Sequence, residues 1–180
     1  MSDSLKSAVQ QASKRADVLA AVQAVYEDIR SAIEARQPVC QMSGRCCKFE
    51  EYGHRLYVST LELAAFVAGN RSKEDGGRLK DDKNGESTSG SSSLRLQLLS
   101  VASDSAGTCP FQVGKLCGVH TIRPFGCRMF FCDTSATEWQ QETYERFHAR
   151  MKALHDELQV PYFYVEWRAA LQDVLAIQTA

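Results

Sequence analysis

Cysteine spacing constrains this chain more than any other feature. Cys40-x5-Cys46-Cys47 lies early, and Cys109-Pro110-Phe111-x5-Cys117-x9-Cys127-Arg128 lies far downstream, with a seventh cysteine at Cys132. Thiolates gathered around one point form a soft, negatively charged pocket, which suits zinc, an iron–sulfur cluster or cuprous ion. A fold that uses these thiols together must bring two remote segments to the same place. The expected metal ligands are therefore Cys40, Cys46, Cys47, Cys109, Cys117 and Cys127, with Cys132 and His120 as further candidates. The chain has no C-x2-C pair, and six thiols exceed one tetrahedral zinc. The excess implies a second metal, a cluster with spare thiols, or buried cysteine that binds nothing.

Composition narrows the setting. With 180 residues, 44% of them apolar, the chain has the length of a single domain and enough apolar surface for a core. The 21 basic and 22 acidic residues nearly cancel, so no long-range field favours nucleic acid or anionic lipid. No apolar run approaches the roughly 20 residues needed to span a bilayer, and Met1 to Lys6 lacks the order of a secretion signal. A cytoplasmic protein is expected. In that reducing compartment an odd number of cysteines points to metal binding or catalysis before a disulfide framework.

The flanks read as helix. Leu5, Val9, Ala12, Ala16, Leu19, Val22, Val25, Ile29 and Ile33 recur at steps of three and four, predicting one long amphipathic helix to about Arg36, stopped by Pro38. Residues 55–58 read as a short strand. Ser59 and Glu62 form a capping box opening a helix from Leu61 to Ala68, which Gly69 is placed to end. Residues 71–93, charged and then rich in Gly and Ser, read as a disordered insertion. Leu94, Leu96 and Leu98 alternate as a strand that would pair with 55–58. Ser135 and Glu138 form a second capping box before a helix to about Gln159, and Pro161 precedes a final helix over 162–177. The fold class expected is mainly α with a small β element, long helices surrounding an irregular, cysteine-ligated core.

The spacing resembles the YkgJ-type cysteine-cluster family, described as zinc- or iron-chelating domains. That pattern opens C-x2-C-x2-C-C and resumes as C-P-F/L and then C-x-I-Y-x-x-R-P-x-x-C-R. Here Cys40, Cys46 and Cys47 match the first block; Cys109, Pro110, Phe111, Cys117, Arg123, Pro124, Cys127 and Arg128 match the second. Two positions depart: Ser43 stands at the family's second cysteine, and His120 at its tyrosine. Cys132 is a candidate for the missing sulfur. The resemblance covers about 40–58 and 109–132, and implies metal chelation by zinc or iron. A related cysteine block in flagellin lysine N-methylases leaves an iron–sulfur-dependent redox or modifying enzyme as an alternative, and the vicinal thiols leave a thiol-redox or metal-sensing protein as another. No Gly-rich nucleotide-binding fingerprint is present.

Other polar groups compete for roles. Arg123 and Arg128 flank Cys127 and are suited to neutralising a thiolate cluster by charge and hydrogen bonds, or to pairing with ordinary carboxylates. His54 and His120 lie near the clusters, while His148 and His155 share one face of the predicted 136–159 helix; surface or packing roles are the plainer account of each. Glu50 and Glu51 are read as a solvated loop. Trp139, Tyr164 and Trp167 fall at helical core positions, so no platform for stacking bases is expected.

Overall fold

The computed structural model describes residues 3–75 and 107–177. It is mainly helical, with two small antiparallel sheets among the described residues. The helices are α1 (Asp3–Ala12), α2 (Ala16–Arg36), α3 (Thr60–Asp75), α4 (Phe125–Arg128), α5 (Thr137–Glu157) and α6 (Trp167–Ile177). The strands are β1 (Tyr57–Ser59), β2 (Gln112–Val113), β3 (Leu116–Cys117) and β4 (Tyr164–Glu166).

The single N-terminal helix expected from periodicity is two helices, broken at residues 13–15. Ser13 turns its hydroxyl onto the Gln10 carbonyl (3.0 Å), and Arg15 donates to the Leu158 carbonyl across the fold (2.8 Å). The break lets one amphipathic stretch serve two apolar clusters. Leu5 and Val9 of α1 pack with Phe49, Phe66, Phe111 and Trp167; Val18, Val22, Val25 and Ile29 of α2 pack with Phe125, Phe147 and Met151. Between them runs α3, whose Leu63, Phe66 and Val67 enter the first cluster while Leu61 and Ala64 enter the second. A helix covered on both sides needs no single apolar stripe.

The first capping box forms as expected: the Ser59 N–H donates to Glu62 Oε2 (2.8 Å), and the Glu62 N–H lies 3.4 Å from Ser59 Oγ. Gly69 does not end the helix. α3 continues to Asp75, so 71–75 are helical rather than part of a disordered insertion; 76–93, and the strand expected at Leu94 to Leu98, lie outside the described residues. Gly69 serves close packing instead. A Cβ there would meet Ile122 Cγ2 at 2.7 Å, inside van der Waals contact with a β-branched, stiff side chain. Gly69→Ala should therefore destabilise the fold by about 1–2 kcal/mol, although alanine is the better helix former. Urea unfolding of the two proteins checks this, and an unchanged or higher midpoint would refute it.

The β1 strand pairs with β4, residue 58 opposite 165, and so engages the C-terminal segment. Residues 164–166, expected as the first turn of the last helix, are that strand, and the helix starts at Trp167. The second capping box is also displaced. Asp133 accepts from the Ser135 N–H (2.9 Å) to cap a 3-10 turn over Thr134–Ala136, which then leads into α5.

Candidate functional site

Three segments converge on one small void. Cys46 and Cys47 sit on a 3-10 turn over Arg45–Cys47, entered through Gly44 at φ 75. The turn requires glycine for two reasons. An L side chain is strained at that φ, and a Cβ would lie 2.7 Å from Gln112 Nε2 and 3.3 Å from the Lys115 backbone. The same hairpin, β2 to β3, carries Cys117. Downstream chain is stitched to upstream chain by backbone hydrogen bonds: Cys109 N–H to the Cys47 carbonyl (2.7 Å) and Glu50 N–H to the Gly107 carbonyl (3.0 Å). The fifth thiol, Cys127, comes from α4. The N–H of Phe125, the first residue of α4, donates to Glu62 Oε1 (3.1 Å), so a buried carboxylate of α3 holds the short helix in place.

Cys46, Cys47, Cys109, Cys117 and Cys127 line this void together with Val119, Arg123, Pro124 and Trp167. Its volume is about 10 Å³, room for one water-sized sphere and not for an organic molecule. The sulfurs are not drawn to metal-bond spacing. Among the described residues no three His, Cys, Asp or Glu groups stand close enough to hold an ion as they are. The mismatch is small where a distance is defined: Cys46 Sγ and Cys47 Sγ are 4.0 Å apart, against about 3.8 Å between sulfurs of a tetrahedral site with 2.3 Å zinc–sulfur bonds.

Electrostatics follows from crowding. Cys46 is brought down to about 7, chiefly by the hydrogen bond from Cys47 and also by the Arg123 charge, against the opposing effect of burial. Cys109 is lowered by Cys47 too, with the Trp167 indole beside it favouring the thiolate. Cys47, next to Cys109, Cys117 and Cys46, is pushed strongly up and stays the protonated donor. Burial raises Cys127, and the neighbouring thiols raise it further. Sulfurs this close cannot all ionise without a cation among them. Arg123 supplies one charge; its Nε is buried with no hydrogen-bond partner.

The other candidates are placed elsewhere. Cys40 is exposed and does not line the void. Cys132 is also outside it, but its sulfur lies 3.4 Å from Ser43 Oγ, the position where the resembled pattern has cysteine. His120 is exposed, and Arg128 is a clasp, donating to the carbonyls of Arg123 (3.0 Å) and Thr121 (2.8 Å) with its guanidinium over the Tyr26 ring. His155 is buried against the Val160 carbonyl, and His148 packs between Tyr144 and Tyr164. None of the seven cysteines is joined in a disulfide. Trp167 was not a sequence candidate. It reads as one more apolar helical residue, and only the pairing of β1 with β4 carries it to the sulfurs.

No family model, curated protein or solved structure matches this chain. No helix among the described residues is long and apolar enough to cross a membrane.

Proposed function

We infer that this protein binds a soft metal ion, zinc or iron, through the thiolates of Cys46, Cys47, Cys109, Cys117 and Cys127. The observation that carries the reading is that five cysteines from three separate segments line a single void of atomic size. Inert core cysteine gives no reason for such a grouping, and the five thiols cannot all ionise until a cation enters. A bound divalent ion supplies the charge that lets the raised Cys47 and Cys127 thiols ionise. Arg123 offsets the remaining negative charge. The void favours one ion, since a cluster of several atoms would require its walls to move apart. Four of the five thiols satisfy tetrahedral zinc. The YkgJ-type spacing supports the same chemistry, and a reducing compartment such as the cytoplasm keeps the ligands available. A thiol-redox role is the second reading, favoured by the lowered Cys46 thiol beside Cys47.

Anaerobic purification followed by absorption spectroscopy and metal and acid-labile sulfide analysis tests this. A colourless protein with about one zinc per chain is expected. Brown protein with stoichiometric sulfide would replace zinc by an iron–sulfur cluster. Folded protein that carries no metal and takes up neither zinc nor iron would end the metal reading.

A further inference from the structure

We propose that a second cavity, which shares Cys127 with the thiol void, is a binding site for a planar aromatic carboxylate. The cavity measures about 410 Å³, within the ordinary range of small-molecule pockets. Its walls are rings. His54 stacks on Phe130 with centroids 5.0 Å apart and planes 25° from parallel, and Phe49 meets the same imidazole edge-on at 5.3 Å. Tyr57 stacks on Tyr164 at 5.5 Å, and the Tyr144 and Tyr164 hydroxyls are held together at 3.1 Å. Rings fixed in this way favour a flat, polarisable ligand, because it gains stacking contact without ordering any mobile side chain.

The polar groups specify the charge. Among the described residues lining the cavity, Arg55 alone carries a full charge, and no carboxylate joins it there. Arg55 is exposed at the mouth. Both ring nitrogens of His54 are closed off by the packing of its ring against Phe49 and Phe130, so a ligand in the cavity meets this residue as part of the ring wall. Recognition of an anion falls to Arg55, which can give a ligand carboxylate a charge-assisted pair. Of the neutral polar side chains, Gln140 accepts from the Phe131 N–H (2.6 Å) and donates to its carbonyl, Thr137 donates to the Thr134 carbonyl, and Gln141 donates to Glu145. An anion on an aromatic ring is the simplest ligand that meets both the ring walls and Arg55. The proposal does not rest on the metal reading, because among the described residues Cys127 alone lines both cavities.

Titration of the full chain with 2-naphthoate, using its neutral isostere 2-naphthamide as control, tests the idea by calorimetry and by the His54 ring resonances in NMR. The expected result is saturable one-to-one binding of 2-naphthoate with Kd below about 1 mM, shifts of the His54 resonances, and at least about tenfold weaker binding of the amide. Arg55→Gln, at an exposed position that does not threaten folding, should weaken 2-naphthoate about tenfold and remove the preference over the amide. Phe130→Leu should weaken both ligands alike. Absence of saturable binding, equal affinity for acid and amide, or indifference to Arg55→Gln would each overturn the proposal. Metal content measured in the same samples shows whether the thiol reading stands or falls separately.

Discussion

Replacing Cys47 with serine is expected to reduce bound metal to less than about a tenth of the wild-type content and to destabilise the fold by several kcal/mol, since the binding free energy of a structural zinc is in large part folding free energy. Cys47 is the hub of the group: its sulfur lies 4.0 Å from that of Cys46, it is influenced most by Cys109, Cys117 and Cys46, and its carbonyl accepts the Cys109 N–H. Serine retains the backbone contacts and the size but replaces a soft, ionisable ligand with a hydroxyl that does not ionise near neutral pH. Cys127→Ser should act in the same direction, because Cys127 is the only thiol that α4 contributes. Cys46→Ser is expected to lose less, because Cys46 is only half-buried and the buried Cys47 still brings a sulfur of the same 3-10 turn to the void. Cys40→Ser and Cys132→Ser should keep full loading, since neither residue lines it. Metal analysis of the five variants, purified alike, gives the ranking. Full loading in both Cys47→Ser and Cys127→Ser would defeat the ligand assignment.

The second large effect is expected at Glu62. Its carboxylate is 2% exposed and accepts two backbone N–H groups, from Ser59 at the start of α3 and from Phe125 at the start of α4. Glu62→Ala would leave both donors buried without an acceptor, at a cost on the order of 4 kcal/mol. It should also release α4, so metal affinity falls although no ligand is touched. Burial, the largest influence on this group, raises its pKa from 4.5 to about 7, while the two N–H donors pull the other way. A carboxyl whose folded pKa is raised binds its proton more tightly in the folded state. Its contribution is complete below about pH 4.5 and is lost as pH rises to about 7, a change of about 3 kcal/mol over that window. Glu62→Gln removes the titration. The stability difference between wild type and Glu62→Gln should therefore shift by about 3 kcal/mol, against the wild type, from pH 4.5 to 7.5. Denaturant unfolding of both proteins across that range reads it directly, and the cysteines common to both cancel. A difference that stays constant with pH would show that Glu62 ionises normally.

How much of this was legible beforehand depends on the range of each interaction. The helical period of residues 5–33 was visible, but the break at 13–15 was not, because both halves keep the same spacing and only the two clusters they face tell them apart. Gly69 looked like a stop signal and is a packing site, since its reason, Ile122, lies far along the chain. The Ser59 and Glu62 pair was readable as a capping box from its spacing, yet the bond to Phe125 was beyond any local pattern. Arg123 and Arg128 looked alike in sequence; one lines the void and the other clasps carbonyls.

Local chemistry in the chain alone therefore determined the mainly helical class with its small β element, the first cap, and the two cysteine segments to be joined. Tertiary structure decided which five thiols share a void, that Cys40 stands outside it, that Trp167 lines the same void, and that His54 and Arg55 line the second cavity. The division has a physical cause. Caps and helical periods depend on neighbours a few residues away, whereas convergence depends on long loops closing and on which strand edges and helix faces pair, terms that no local pattern contains.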